Sequence, residues 1–108
     1  MTNNDSLIAA TPKPPYYAVI FTSLLNANTQ GYGEMADKMV ALAQQQTGFL
    51  GFESAREGLG ITVSYWADLA AIKNWKQNAE HLVAQKLGRQ LWYSAFKTRI
   101  ALVERDYS

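Results

Sequence analysis

The ten residues YYAVIFTSLL, 16 to 25, carry apolar side chains on both sides of any strand they form. Successive side chains of an extended chain point to opposite faces. Tyr17, Val19, Phe21 and Leu25 therefore share one face, and Ala18, Ile20 and Leu24 the other. A strand with one wet face alternates apolar with polar residues, and this one does not, so both faces need cover. The run ITVSYW, 61 to 66, repeats the pattern, with Ile61, Val63 and Tyr65 opposite Thr62, Ser64 and Trp66. A fold holding both segments must bury a sheet on two sides, and that demand leaves few architectures open.

The remaining segments supply cover for one side only. EMADKMVALAQQQ, 34 to 46, places Met35, Met39 and Leu42 on one helical face, flanked by Ala36 and Ala43, and Thr47-Gly48 stops it. FLGFESAR (49 to 56) and ITVSYW read as strands joined by the hairpin EGLG. Asp68 is placed to cap a second helix whose apolar stripe is Ile72, Trp75, Ala79 and Leu82. Gly88 interrupts or ends that helix, a short turn runs through LWY, and FKTRIALVERDY (96 to 107) is the last strand. The order β-α-β-β-α-β is a ferredoxin-like, α+β arrangement on an antiparallel sheet. Two helices cover one face of it, and a second copy of the sheet would cover the other. A homodimer is expected.

Residues 1 to 15 are polar and then proline-rich, which predicts a flexible arm ahead of a single domain spanning 16 to 108. That arm lacks the basic and apolar regions of a signal peptide, and no apolar run is long enough for a membrane helix. The cytoplasm is the expected compartment. A formal charge of +1 with interspersed signs gives no footprint for nucleic acid or an anionic membrane. Without cysteine, thiol nucleophiles, disulfides and thiolate metal sites are excluded, and one histidine makes a protein zinc cage improbable. No phosphate loop, dinucleotide fingerprint or serine-nucleophile pattern is present. Neither a metal nor a cofactor is expected.

The order of elements, carrying TGFLGFESAR, then ITVSYW, then a tryptophan nine residues after Trp66 within AIKNWKQNAEH, resembles the antibiotic biosynthesis monooxygenase family over about residues 16 to 107. The resemblance implies a dimeric α+β barrel. It also implies one of several activities: cofactor-independent oxygenation of polyketide hydroxyanthrones, quinol monooxygenation, or heme degradation. Heme-degrading members carry a tryptophan on the second helix and an iron-ligating histidine about ten residues later. Trp75 matches the first, but the second position is Gln85, and His81 lies a helical turn earlier. Those members also carry an asparagine on strand one, where Thr22 and Ser23 are the nearest polar residues here. Two of the three positions depart from the heme-degrading pattern.

Projected on a helix, Asn74, Asn78, His81 and Gln85 fall within roughly 60° of one another, along one edge of the apolar stripe, while Lys73, Lys76 and Glu80 point away. Such an edge either orients an aromatic substrate in a half-apolar pocket or is a solvated shoulder. An imidazole accepts a proton near neutral pH, so His81 is the candidate base, with Trp75 and Asn78 beside it. Asn74, Gln85, Trp66 and Arg99 are the candidate substrate contacts. Arg99 is the candidate to meet an anionic substrate or, alternatively, to pair with Glu53 or Glu104, and Arg56 and Arg105 also lie in strands. Trp92 and Tyr93 close one end of a pocket or make dimer contacts. Three functions are compatible with these residues: a cofactor-independent monooxygenase acting on a small phenol, quinol or hydroxyanthrone; a non-catalytic ligand-binding dimer using the same pocket; and a heme-degrading monooxygenase.

Overall fold

A computed structural model describes residues 7–85 and 92–108, with the side chains of all of these except 82–85. Six elements succeed one another: β1 (Tyr16–Leu25), α1 (Tyr32–Gln44), β2 (Phe49–Arg56), β3 (Gly60–Trp66), α2 (Leu69–Gln85) and β4 (Tyr93–Val103). The four strands form one antiparallel sheet in the order β2-β3-β1-β4. This is the expected split arrangement, with the two-faced strands β1 and β3 at its centre. The interruption at Gly88 and the turn leading into LWY fall largely on residues 86–91, outside the described residues.

Helix α1 begins at Tyr32, two residues before the expected start, because Gly31 takes a left-handed conformation (φ 83) and turns the chain into the helix. Asp68 caps α2 as its side chain suggested: its Oδ1 accepts the Ala71 N–H at 2.8 Å. Gly48 is needed twice over. Its φ is 89, and a Cβ there would lie 2.7 Å from the Cβ of Ala71, where the loop passes under the first turn of α2.

The last strand starts three residues before the expected Phe96 and ends at Val103 rather than near Tyr107. Tyr93 already pairs with Leu25 across a bulge at Leu24/Leu25. At the other end the final pair is Tyr16 with Val103. Pro14 and Pro15 precede Tyr16 and carry no N–H with which to continue a ladder. The Asp106 carboxylate is nevertheless fixed, accepting the Tyr16 hydroxyl proton at 2.6 Å.

Registers assign the faces. Tyr17 lies opposite Trp66 and Leu102, Val19 opposite Ser64 and Ile100, and Ser23 opposite Gly60 and Phe96. The helices lie on this side. The core there is Val19, Ala43, Trp66 and Ile72, with Tyr17, Phe49, Ala71 and Trp75 packed against it. Trp66 is 0% exposed, and its indole N–H donates to Ser64 Oγ at 2.9 Å.

The other face carries Tyr16, Ala18, Ile20 and Leu24 with Ile61, Val63 and Tyr65. One end of it is tied to both termini. The Ala9 N–H donates to Glu53 Oε2 (3.0 Å), Thr11 Oγ1 donates to the Tyr16 hydroxyl (2.9 Å), and the Tyr65 hydroxyl donates to Glu53 Oε1 (2.6 Å). Burial, and then the Glu53 carboxylate that holds its proton, raise the Tyr65 hydroxyl above the ordinary phenol range. The Asp106 hydrogen bond is the chief cause of a rise at Tyr16. Farther along this face Leu24 and Ile61 remain exposed.

Candidate active site

The centre of the candidate site is a pair of tryptophans. Asp68 starts α2 two residues after β3 ends, so one chain reversal brings the nine-residue spacing of Trp66 and Trp75 into contact. Their ring centroids are 5.4 Å apart and the planes 38° from parallel. Phe49 meets Trp66 edge-on from the other side, at 5.3 Å. The two indoles differ in one respect. Trp66 Nε1 is satisfied by Ser64, whereas Trp75 Nε1 is buried and has no hydrogen-bond partner among the described residues. Buried donors are nearly always paired, and leaving one unpaired costs about 1–3 kcal/mol. Trp75 therefore holds a donor in reserve inside the helix-side layer.

Asn74 and Asn78 lie one turn apart on the edge of α2 nearest the end of α1. Both Nδ2 groups donate to Gln46 Oε1, at 3.4 and 3.3 Å, and Asn78 Nδ2 also donates to the Asn74 carbonyl at 3.0 Å. Gln46 in turn donates to the Leu42 carbonyl (3.1 Å). The two asparagines thus bind α2 to the turn after α1, with their side chains exposed. His81, a turn farther on, is also exposed. Gln85 closes α2, and its side chain is outside those described.

Arg99 is not brought to this group. It pairs with Ile20 while its neighbour Ile100 pairs with Val19, so its side chain leaves the sheet on the face opposite the tryptophans. Glu53, considered as its partner, is engaged by Tyr65 and Ala9 instead. The helix-side positions of β4 are Phe96, Thr98, Ile100 and Leu102. Three of these are large and apolar yet open, Ile100 by 53% and Leu102 by 49%. The layer that contains Trp75 therefore has an uncovered apolar flank along β4.

At the far end of the same face lies a group that sequence reasoning did not assemble. Arg56, the last residue of β2, crosses Gly60 to reach β1, donating from Nη1 to the Ser23 carbonyl (3.2 Å) and from Nη2 to Ser23 Oγ. Its guanidinium sits 5.8 Å from the centre of the Tyr32 ring. Tyr32 meets Trp92 and Tyr93 edge-on, and Phe21 touches Tyr93 and Phe96. Trp92 and Tyr93, expected to close a pocket or contact a partner, stand in this aromatic group, and Trp92 Nε1 donates to the Gln30 carbonyl (2.9 Å). The convergence of Arg56 on Ser23 carried no local signal.

This arrangement has relatives. A sequence profile of the antibiotic biosynthesis monooxygenase family matches residues 15–87. The chain belongs to that family. It is 52% identical over 101 residues to the uncharacterized protein YqjZ of Bacillus subtilis (strain 168), an alignment covering 92% of this chain and 89% of that protein. Among solved structures it is similar to PA3566 of Pseudomonas aeruginosa, with TM-score 0.66 and 19% identity over 89% of this chain and 99% of that one. It is also similar to SnoaB, a cofactor-independent oxygenase from Streptomyces nogalater, with TM-score 0.65 and 13% identity over 88% and 97%. At these identities the structural likenesses establish the fold. No helix among the described residues is long and apolar enough to cross a membrane, and no group of three or more His, Cys, Asp or Glu that could hold a metal ion occurs among them.

Proposed function

We propose that the protein is a cofactor-independent monooxygenase of an electron-rich phenol, quinol or hydroxyanthrone, working as a cytoplasmic homodimer with residues 16–108 as its functional domain. The observation that carries this reading is the unpartnered indole N–H of Trp75, buried beside Trp66 in a layer whose β4 flank is apolar and open. An aromatic ligand entering from that flank finds hydrocarbon for its rings and one donor for a ring oxygen. Family membership and the likeness to an oxygenase described as cofactor-independent support the reaction class. Leu24 and Ile61, open on the second face of the sheet, support the dimer.

The chemistry asks little of the protein beyond binding and one proton transfer. A phenol is a poor reductant of dioxygen until it loses its proton. His81 is the candidate acceptor, with Asn74, Asn78 and Gln85 along the same edge of α2. The anion transfers one electron to dioxygen, and the two radicals combine to form a carbon–oxygen bond. At a ring methylene the resulting peroxide loses water and leaves a carbonyl. The balance is CH2 + O2 → C=O + H2O: both hydrogens and one oxygen atom leave as water. The Trp75 N–H stabilises the phenolate oxygen as charge develops. Trp66, with its N–H already satisfied, fixes the Trp75 ring. Arg99 acts from the other face of the sheet, as a candidate contact across the dimer.

Oxygen uptake over a panel of anthrones, naphthols and quinols tests the proposal. Turnover above the uncatalysed rate on at least one of them, lowered in Trp75→Phe, is the expected result. Saturable binding without uptake would instead favour the ligand-binding dimer.

A further inference from the structure

The guanidinium of Arg56, an exposed residue, is held by hydrogen bonds to neutral groups. It donates to the Ser23 carbonyl and hydroxyl, both uncharged, and lies against the Tyr32 ring. No carboxylate stands within ion-pairing distance of it among the described residues. The surroundings are shaped for it. A Cβ on Gly60 would collide with the Arg56 Cζ, so this placement of the guanidinium, though not the strand itself, depends on a glycine there. Ser23 is 2% exposed, so its hydroxyl is a fixed acceptor. Arginine has five N–H donors, and the two bonds to Ser23 leave the others for a ligand. Beside them lies Tyr32, which meets Tyr93 edge-on, and Tyr93 in turn contacts Phe21 edge-on and Phe96 at a tilt.

We infer that Arg56 is an anion-recognising residue, and that the aromatic ligand of this protein carries an acidic group, a carboxylate or an acidic phenol, seated on this guanidinium. The inference rests on the reading that an aromatic ligand enters the layer between helices and sheet, and it names the class of that ligand. Charge and geometry agree on it. A planar fork pairs with a carboxylate through two parallel hydrogen bonds, and an arginine already ordered by Ser23 and Tyr32 gives up little side-chain freedom on binding. An arginine that served only to fasten β2 to β1 would be as well served by a carboxylate on β1. The chain offers a serine, which orients the cation and leaves its charge unspent.

The test is equilibrium binding without oxygen, so that turnover plays no part. The probes are anthraquinone-2-carboxylate and its neutral carboxamide, followed by quenching of tryptophan fluorescence. The wild-type protein is expected to prefer the acid by about tenfold, a preference that weakens with added salt. Arg56→Gln should abolish it while leaving amide binding in place. Gly60→Ala is a second variant that keeps the arginine but drives its flexible end off Ser23, and it should reduce the preference with the fold retained. Equal affinity for acid and amide in the wild-type protein, or an unchanged preference in Arg56→Gln, overturns the inference and leaves the oxygenase reading standing. Failure of both probes to bind overturns it as well. A strong acid preference with no oxygen uptake on any substrate supports the inference and removes the oxygenase reading.

Discussion

Replacing each of the two touching tryptophans by phenylalanine should have opposite consequences for stability and function. In Trp66→Phe the fully buried indole is shortened, which costs about 1–2 kcal/mol in lost contacts, and its hydrogen bond to Ser64 Oγ is lost. That bond is worth about 1 kcal/mol, and the buried Ser64 hydroxyl is left without it. The sum is about 2–3 kcal/mol. In Trp75→Phe the ring is only partly buried, so the lost contacts cost about 1 kcal/mol. The donor removed has no partner to lose, and relief of its burial returns about 1–3 kcal/mol. The net change lies between zero and a gain of about 2 kcal/mol. The variants therefore differ by at least about 2 kcal/mol, which corresponds to at least about 8 °C in Tm for a domain of this size. Thermal and urea unfolding at one fixed protein concentration measure it, since dimerisation makes Tm depend on concentration. Trp75→Phe should be at least as stable as wild type yet weaker in binding a phenolic ligand. Equal destabilisation by the two substitutions would refute the argument, because Trp75 Nε1 would then be satisfied in the native protein.

Three further outcomes are expected. Light scattering at micromolar concentration should give twice the 12.0 kDa chain mass, and a folded monomer that persists on dilution would contradict the two-sided sheet argument. Alkaline unfolding should begin above pH 10: the raised Tyr65 hydroxyl gives stability that is whole below the ordinary phenol value of 10.0 and is lost as pH climbs toward its folded value. Tyr65→Phe should flatten that part of the profile in circular-dichroism titrations, and an unchanged profile would show that the hydroxyl does not carry it. Finally, His81→Ala should lower turnover by roughly 10²–10⁴-fold if the imidazole is the base, with dimer mass and Tm unchanged, and His81→Gln should stay slow. Full activity in both variants would remove His81 from the mechanism.

The fold was legible because its strongest signals are local. The two-sided apolar run YYAVIFTSLL and the segment FLGFESAR marked β1 and β2 residue for residue, whereas the ring contact of Trp66 with Trp75 came from the fold, which sets both within one strand-turn-helix unit. The limits of β4 were less visible: they depend on where Pro14 and Pro15 halt the partner strand and on the bulge at Leu24/Leu25, two facts about pairing. Arg99 shows the same limit at the site. Its sequence says strand, but only the pairing of Ile100 with Val19 says which face. Arg56 lay farthest from reach, because its role needs β2, β3 and β1 in one register and a glycine at the crossing. Each of those conditions is long-range.

The central claim, that the chain inserts one atom of dioxygen into an aromatic substrate without a bound cofactor, is tested most directly by isotope. Purified protein freed of flavin and metal by dialysis against chelator is given ¹⁸O₂ and an anthrone it turns over, and the product is read by mass spectrometry. One ¹⁸O in the new carbonyl, with the second atom recovered as labelled water, is the expected result. A product whose new oxygen comes from solvent, or an enzymatic rate that disappears with the chelator and returns with added metal, would contradict it.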